Sequence, residues 1–263
     1  MFRVISLNIN GIRAGARKGF FDWLSQQDAD VVCLQEIKAQ EAQLTDELFL
    51  PSGWHRYLFS AEKKGYSGVA IYSRHQADNV HYGLGWDTAD TEGRYIQIDI
   101  GKLSIASLYL PSGTSGDVRQ DVKYEFLDKF TQHLNQLSAT ENQYIICGDY
   151  NIVHKEIDIK NWKSNQKNSG CLPEERAWLD KLFDHMGWVD GFRAINQEPH
   201  QYTWWSNRGN ARANNVGWRI DYHVVSPNLK NTITDASVYK DSWFSDHAPL
   251  IIDYDLEHLP IGR

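Results

Sequence analysis

Short apolar segments bounded by turn-forming residues recur along the whole chain, and they restrict the folds open to it. Each is rich in β-branched and aromatic residues, which is typical of β-strands. The predicted strands are Phe2–Ile9, Val31–Leu34, Val69–Ser73, Tyr95–Ile100, Leu103–Leu110, Tyr144–Cys147, Ile220–Ser226 and Leu250–Asp255. Gly101 and Lys102 separate two of these segments and predict a tight hairpin. The chain therefore has to build β-sheets with many strands.

Three amphipathic helices are predicted between the strands, because apolar residues recur at helical spacing. They comprise Val122, Phe126, Phe130, Leu134 and Leu137 in the first, Phe20, Phe21 and Leu24 in the second, and Glu174–Met186, preceded by Pro173, in the third. Hairpins mixed with such helices favour an α/β sandwich, in which two packed β-sheets are flanked by helices. No linker rich in Pro, Gly or Ser divides the chain, so we expect residues 1–263 to form one domain.

Composition and charge exclude several classes of protein. With 41% hydrophobic and 23% charged residues, the 263-residue chain is ordinary for a globular protein, and extended disorder is excluded. We expect neither a membrane span nor a signal peptide, because no segment has the roughly 20 apolar residues a span needs and the first residues are strand-like. Cys33, Cys147 and Cys171 form no C-x-x-C pair, which predicts a reducing, cytoplasmic location. The net charge of −7 disfavours a protein that coats DNA generally.

Polar residues lie at the ends of several predicted strands. They are Asn8 and Asn10, Glu36, Tyr109, Asp149 and Asn151, Asp221, and Asp246 with His247 just before the last strand. Because adjacent strand ends meet at one edge of a sheet, we expect these side chains to lie close together. A cluster rich in carboxylate and amide oxygens and free of cysteine suits a hard cation such as Mg²⁺ or Mn²⁺.

Each of these residues also has a purely structural interpretation. Asn8 and Asp149 can form turns by bonding to their own backbone, His247 can be a structural histidine, and Tyr109 can simply pack. Glu36 is harder to explain in this way, because a carboxylate beside a buried segment is costly unless it is paired or metal-bound. The occurrence of all these residues together favours a functional site.

The motifs that contain these residues resemble the exonuclease III family of abasic-site endonucleases, within the endonuclease/exonuclease/phosphatase superfamily. They are Leu7-Asn8-Ile9-Asn10-Gly11-Ile12-Arg13, Gln35-Glu36-Ile37-Lys38, Tyr109-Leu110-Pro111, Gly148-Asp149-Tyr150-Asn151-Ile152, Trp218-Arg219-Ile220-Asp221-Tyr222 and Ser245-Asp246-His247-Ala248-Pro249. The segments 156–161, 167–170 and 215–219 resemble the DNA-repair branch more specifically than the wider DNase I-like relatives. The resemblance implies a four-layered α/β sandwich, with two mixed β-sheets flanked by helices.

The resemblance also implies the roles of the site residues. The implied residues of a Mg²⁺ site, with Mn²⁺ as a substitute, are Glu36 as ligand and Asn8, Asn10 and Asp246 around it. The implied catalytic residues are Tyr109, Asp149, Asn151, Asp221 and His247. Asp149 and Asn151 are two residues apart at a strand end, so we expect them to point the same way. The sequence leaves open which group is the general base and whether one or two metal ions bind.

Double-stranded DNA with abasic sites or 3′ ends is the implied partner, bound by a monomer and with no membrane involved. The implied DNA-binding residues are Trp204 and Trp218 around the base-less sugar, Arg208 in the groove, and Lys160, Lys163, Asn168 and Asn215. Residues 154–170 contain four lysines and two acidic residues, and residues 200–219 contain three arginines and no acidic residue. Binding through these two local patches is expected to weaken steeply with salt.

The expected activity is Mg²⁺-dependent hydrolysis of the phosphodiester 5′ to an abasic site, with 3′–5′ exonuclease and 3′-end-trimming activity. One alternative is a 3′–5′ exodeoxyribonuclease with little abasic-site activity, and another is a non-enzymatic protein that binds DNA ends. A phosphoesterase acting on lipid or sugar phosphates is disfavoured, because the sequence has no amphipathic or exposed apolar insertion.

Overall fold

Two six-stranded β-sheets form the centre of the structure, a computed structural model that describes residues 1–256. The strands are β1 (Phe2–Asn8), β2 (Val31–Gln35), β3 (His55–Phe59), β4 (Val69–Ser73), β5 (Asn79–Tyr82), β6 (Tyr95–Ile100), β7 (Leu103–Tyr109), β8 (Gln143–Asp149), β9 (Val189–Asp190), β10 (Trp204–Trp205), β11 (Gly217–Trp218), β12 (Asp221–Val225), β13 (Ile233–Val238) and β14 (Leu250–Tyr254). The α-helices are α1 (Ile12–Arg17), α2 (Phe20–Ser25), α3 (Asp87–Thr91), α4 (Asp117–Ser138), α5 (Trp162–Asn165) and α6 (Pro173–Asp180). The predicted domain extends to residue 263, and its last seven residues lie outside the described part.

Each sheet has one parallel pair of strands near its middle. The order is β13-β14-β1-β2-β4-β3 in the first sheet and β5-β6-β7-β8-β12-β9 in the second, while β10 and β11 form a separate two-stranded ribbon. The pairs β1–β2 and β7–β8 are parallel, and the other pairs within the two six-stranded sheets are antiparallel. The parallel pairs therefore place four carboxyl-terminal strand ends at one edge of the molecule.

Apolar side chains fill the space between the two sheets and cover both outer faces. The inner layer combines residues of both sheets, among them Val4, Ile71, Ile98 and Ile145. Helix α2 packs on the outer face of the first sheet through residues that include Phe20 and Leu24. Helices α4 and α6 cover the second sheet through residues that include Phe126, Phe130 and Leu179. This layering confirms the predicted four-layered α/β sandwich.

The eight predicted strands are the eight inner strands of the two sheets, and each boundary agrees to within two residues. The hairpin at Gly101 and Lys102 is also present. All four edge strands, β3, β5, β9 and β13, were missed. Most residues of these strands are partly or fully exposed, so the strands lack the apolar runs that reveal a buried strand. Their pairing depends on the neighbouring strand rather than on their own sequence.

The helix predictions hold with two differences. In α4 the predicted face is buried at Phe126, Phe130 and Leu134, but Lys123 of the same helix is also fully buried. The predicted helix Glu174–Met186 is α-helical only to the end of α6 and continues as a π-helical turn over Lys181–His185. The three cysteines are buried and free of disulfide bonds. Among residues 1–256, no helix is long and apolar enough to cross a membrane.

A buried ion-pair network fixes the ribbon and the segment 154–170 to the second sheet. The guanidinium of Arg219 donates to Asp158 at 2.8 and 3.0 Å and to Asp190 at 2.7 Å, and its side chain is fully buried. Arg193 adds a second cation, 2.7 Å from Asp158. Burial opposes ionisation of Asp158, but the charges of Arg219 and Arg193 outweigh it and hold its pKa at about 2. The network therefore keeps Asp158 ionised over the whole neutral and mildly acidic range.

Replacing Asp158 with Asn is expected to lower the free energy of unfolding by about 3 kcal/mol at pH 7, because Arg219 loses a buried partner. The stabilisation from the ionised carboxylate is complete above its ordinary pKa of 3.8 and is lost as the pH falls through about 2. Urea unfolding of both proteins at pH 7, 5 and 3 measures this difference. It should be constant between pH 7 and 5 and smaller at pH 3. The control is Glu141→Gln, at a side chain that is 88% exposed, which should leave stability unchanged. A loss of the same size in both variants would contradict the role of the network.

Candidate active site

The carboxyl-terminal ends of β1, β2, β7 and β8 surround a cleft of about 950 Å³. Its lining includes six of the predicted metal-site and catalytic residues, which are Glu36, Tyr109, Asn151, Asp149, Asp246 and His247. Asn10, Glu36 and Asn151 each follow a strand end with a positive φ, between 46° and 52°. Non-glycine residues in this conformation are uncommon and cluster at functional sites. The strand ends and these turns together bring residues from distant parts of the chain into one site.

Asn8 connects the two sheets at this edge. Its Nδ2 donates to Glu36 Oε1 at 2.8 Å, beside the first sheet, and to Asp149 Oδ2 at 2.9 Å, in the second. Asn8 is fully buried, and its Oδ1 accepts a hydrogen bond from the backbone N–H of Asn10. An ionised carboxylate has no donor and can only accept hydrogen bonds. The NH₂ group of Asn8, rather than its oxygen, must therefore face Glu36 and Asp149. Asn8 therefore positions both carboxylates.

Glu36 carries a carboxylate that is kept ionised although it is mostly buried. Its Oε2 lies 2.9 Å from the ammonium of Lys38, which also bonds to the side-chain oxygen of Asn10. Burial opposes ionisation, but the charge of Lys38 and the hydrogen bond from Asn8 lower the pKa of Glu36 below its ordinary value. A side-chain oxygen of Glu36 and one of Asn10 thus both contact the ammonium group of Lys38. This all-oxygen set fits a hard divalent cation.

Asp246 completes this side of the cleft. Its Oδ1 accepts hydrogen bonds from Asn10 Nδ2 at 2.9 Å and from the Ser245 hydroxyl at 3.1 Å, and its Oδ2 accepts one from the indole of Trp204 at 3.1 Å. Burial raises the pKa of Asp246, but the charge of His247 and these hydrogen bonds outweigh it and lower the pKa. The four residues predicted for the metal site, Asn8, Asn10, Glu36 and Asp246, are therefore linked by hydrogen bonds in one cluster.

His247 lies between two buried carboxylates. Its Nδ1 is 2.9 Å from Asp221 Oδ2, and its Nε2 is 3.7 Å from Asp149 Oδ2. Burial lowers the pKa of His247, but the charges of Asp221 and Asp149 outweigh it and raise the pKa to about 10. Burial and the charge of Asp221 raise the pKa of Asp149 to about 7, against the opposing charge of His247. The imidazole is therefore a cation at neutral pH, and Asp149 is the carboxyl poised to exchange a proton.

A second set of side chains could also hold a metal ion. One ligand atom each from Asp149, Asp221 and His247 lie within 4.8 Å of one another. A protonated imidazole has no free lone pair, however, and the hydrogen bond to Asp221 already uses Nδ1. Proton binding therefore competes with metal binding at this triad. The cluster around Glu36 has no such competitor beyond the exchangeable ammonium of Lys38.

Tyr109 ends β7 beneath a buried arginine that sequence reasoning missed. The guanidinium of Arg94 lies 4.7 Å from the centre of the phenol ring and donates to the carbonyl oxygen of Tyr109 at 2.9 Å. Burial and the charges of Glu36 and Asp149 raise the pKa of Tyr109 well above its ordinary value. The phenol therefore stays protonated and can donate a hydrogen bond into the cleft.

Asn151 lines the cleft for a different reason from the one predicted. Strand β8 ends at Asp149, so alternation along a strand does not align the two residues. Instead the backbone N–H of Asn151 donates to Asp149 Oδ1 at 2.8 Å, and its side chain donates to the carbonyl oxygen of Leu110. The buried ammonium of Lys123 donates to the carbonyl oxygen of Asn151 at 2.8 Å and to Glu175 at 2.6 Å. This fully buried ion pair was also missed, since a lysine in an amphipathic helix is ordinarily exposed.

Comparison with known proteins agrees with this arrangement. The sequence pattern of the endonuclease/exonuclease/phosphatase family matches residues 5–247. The chain belongs to this family. An exodeoxyribonuclease of Bacillus subtilis (strain 168) is 39% identical over 250 residues, which is 94% of this chain and 97% of that protein. The DNA repair nuclease APEX1 of Danio rerio is 37% identical over 253 residues, which is 95% of this chain and 81% of that protein.

Solved structures of the family have the same fold. An AP endonuclease from Archaeoglobus fulgidus superimposes with a TM-score of 0.88 at 25% identity, covering 97% of this chain and 100% of the other. A 3′–5′ exonuclease (NExo) from Neisseria meningitidis gives 0.87, also at 25% identity, with coverage of 97% and 100%. The resemblance inferred from the motifs is thereby confirmed.

An aromatic wall closes one side of the cleft in this member of the endonuclease/exonuclease/phosphatase family. Trp204 and Trp218 face each other across the ribbon, with ring centres 5.9 Å apart and ring planes at 89°. Both are partly exposed and line the cleft together with Asn168. These three predicted DNA-binding residues therefore lie beside the acidic centre.

The other predicted DNA-binding residues lie outside the cleft. Lys160, Lys163 and Arg208 are exposed, on the segments that flank the ribbon. The side chain of Asn215 is used within the protein, because its Oδ1 accepts a hydrogen bond from Trp205 and its Nδ2 donates to the backbone of His200. A DNA contact by any of these four residues stays a prediction.

Replacing Asp221 with Asn is expected to lower the pKa of His247 from about 10, because the imidazolium loses its nearest negative charge. An NMR titration of the histidine ring protons measures this change, with His247→Gln used for assignment. The matched control is Asp180→Asn, which removes the carboxylate 2.8 Å from His154 and should leave His247 unchanged. If His247 of the unmodified protein titrated near its ordinary pKa of 6.5, the proposed cationic state would be wrong.

Proposed function

We propose that this protein is a Mg²⁺-dependent DNA-repair nuclease that cleaves the phosphodiester 5′ to an abasic site, with additional 3′–5′ exonuclease and 3′-end-trimming activity. The observation that carries the proposal is the convergence of Glu36, Asp149 and His247 on one cleft bounded by two tryptophans. Family membership supports a hydrolase acting on phosphate esters. The names of the relatives, which include a DNA repair nuclease, an AP endonuclease and an exodeoxyribonuclease, support DNA as the substrate.

A phosphodiester is an anion that repels nucleophiles, so its hydrolysis requires charge neutralisation and proton transfer. The His247 cation neutralises charge that develops on the phosphate, and Asp221 holds the imidazole in place. Tyr109 donates a hydrogen bond to a phosphate oxygen, which its raised pKa allows at neutral pH. Asp221 holds the imidazole and Arg94 packs on the phenol ring, so both side chains are in place before substrate binds.

Asp149 is the group we assign as general base. Its pKa of about 7 lies close to neutral pH, where a carboxylate combines a substantial ionised fraction with appreciable basicity. His247 is unsuited to this role because its pKa of about 10 leaves it protonated. Asn151, whose backbone bonds to Asp149, orients the attacking water or the phosphate.

Glu36 is the residue we assign as direct metal ligand, and Asn8, Asn10 and Asp246 orient it or the hydration shell. A Mg²⁺ ion held by these residues would supply positive charge that offsets the charge of the phosphodiester. Mg²⁺ usually keeps several waters and takes few carboxylates, which agrees with a single glutamate surrounded by hydrogen-bonding side chains. Lys38 would have to leave Glu36 when the ion binds, and its partly exposed side chain allows this.

The aromatic wall supports selection of a sugar without a base. Trp204 and Trp218 present apolar surface next to the acidic centre, which suits a deoxyribose turned out of the helix. The exposed cations Lys160, Lys163 and Arg208, with Asn168 and Asn215, are proposed to contact the DNA backbone or groove. These contacts would hold one monomer on double-stranded DNA. Three free cysteines agree with a reducing compartment such as the cytoplasm.

Replacing Glu36 with Gln, or Asp149 with Asn, is expected to reduce cleavage at an abasic site by about 10² to 10⁴-fold, because one removes the metal ligand and the other the base. The assay uses a duplex with one central abasic site, an intact blunt duplex and a 3′-recessed duplex, each with Mg²⁺ or with EDTA. Glu141→Gln, at a distant exposed pair, is the matched control and should retain full activity.

The products separate the candidate activities. Scission at the abasic site marks an endonuclease, whereas a ladder of products from the 3′ end marks the exonuclease that the name of the Bacillus subtilis relative favours. A ladder without scission at the abasic site would show that the protein is a 3′–5′ exonuclease and not an abasic-site endonuclease. No metal-dependent cleavage of any of the three duplexes would reject both.

A further inference from the structure

Trp243 is the one exposed tryptophan of the ten in the chain, all of which lie in the described part. Its side chain is 56% exposed, in the turn between β13 and β14 and three residues before Asp246. It does not line the cleft. An isolated surface indole requires no explanation, but this one is held in a specific arrangement.

Trp243 forms the outer layer of a three-membered stack. The guanidinium carbon of Arg212 lies 4.4 Å from the centre of the Trp243 ring and 4.6 Å from that of Trp205. Trp205 is 2% exposed, and its indole N–H donates to Asn215 at 3.0 Å. Arg212 in turn donates to the carbonyl oxygen of Ser245 at 3.1 Å. One face of Trp243 is therefore covered by a fixed cation, and the solvent reaches the other.

The ribbon connects this stack with the cleft. Trp204 and Trp205 are successive residues of β10, so their side chains point to opposite faces. Trp204 lines the cleft and Trp205 supports the stack. Gly217, opposite Trp205, allows this packing, because a Cβ there would lie 2.6 Å from the indole nitrogen of Trp205. DNA that crosses the cleft and continues past the ribbon would therefore meet Trp243.

The surroundings of the stack are positive in a chain whose net charge is −7. Segments 206–216 and 239–244 contain Arg208, Arg212 and Lys240 against one acidic residue, Asp241. Burial lowers the pKa of Arg212 to about 10, so the guanidinium remains charged at neutral pH. Burial lowers the pKa of Lys240, and the positive charge of Arg212 lowers it further. Arg212 and Lys240 therefore lie close enough to interact electrostatically. A polyanion complements this patch.

We propose that the outer face of Trp243 is a further DNA contact, against a base or deoxyribose of the strand that flanks the scissile phosphodiester. The exposed cations Arg208 and Lys240 interact with the neighbouring phosphates. Aromatic side chains backed by positive charge are the usual platform for nucleic-acid strands, because every base presents a flat π-face. The contact extends the DNA surface beyond the cleft, and it rests on the proposed nuclease function.

The test compares the unmodified protein with Trp243→Ala, Trp243→Phe and Tyr82→Ala. Tyr82 is an equally exposed aromatic residue on edge strand β5 and serves as the matched control. Affinity for the abasic-site duplex is measured by fluorescence anisotropy in EDTA. The cleavage rate is measured in single turnovers with Mg²⁺ and saturating enzyme.

Trp243→Ala should bind about tenfold more weakly, with a saturated cleavage rate unchanged within twofold. Trp243→Phe and Tyr82→Ala should bind like the unmodified protein. In a second measurement, DNA should reduce iodide quenching of tryptophan fluorescence more in the unmodified protein than in Trp243→Phe, where only the tryptophans of the cleft remain to be covered. Together these results would show that the indole face itself is covered by DNA.

Unchanged affinity of Trp243→Ala, with equal protection from iodide in the unmodified protein and in Trp243→Phe, would overturn the proposal. A dimer in sedimentation that dissociates in Trp243→Ala would also overturn it and assign the face to a second copy of the chain. A different result would reject the proposed nuclease function, namely that the unmodified protein shows no metal-dependent cleavage. In that case, the anisotropy and quenching results would still decide whether Trp243 contacts DNA.

Discussion

The amide of Asn8 is the interaction on which the rest of the site depends. It is fully buried and donates to two carboxylates from different sheets, Glu36 and Asp149. Without a shared donor these acidic groups would be buried side by side, and their repulsion would favour protonation of one or separation of the sheets. A single neutral side chain thus sets the spacing between the candidate metal ligand and the candidate base.

Cations placed within the protein balance the remaining negative charge of the site. Lys38 accompanies Glu36, His247 lies between Asp149 and Asp221, and the buried Lys123 supports the neighbouring turn. Consequently, the acidic centre does not present an unscreened negative surface to DNA. Exposed cations such as Lys160, Lys163 and Arg208 lie on the segments around the ribbon, so a negative net charge is compatible with local DNA binding.

The sequence predicts the inner part of the fold and the centre of the site for the same physical reason. Inner strands are buried on both faces and show as apolar runs, and a polar residue such as Glu36 at the end of such a run stands out. Edge strands such as β5 are exposed and give no such signal. The pairing of Lys123 with Glu175 spans 52 residues, and no local pattern reports it. Trp243 was likewise overlooked, because only the structure shows which of ten tryptophans is exposed.

The most direct test of this account is the single-turnover rate of abasic-site cleavage by Asn8→Ala at saturating Mg²⁺. Removing the shared donor should reduce the rate by about 10²-fold or more, because Glu36 and Asp149 are no longer held in one geometry. Circular dichroism should confirm that the variant remains folded under the assay conditions. A folded Asn8→Ala protein that cleaves within twofold of the unmodified rate would contradict the central role assigned to this amide.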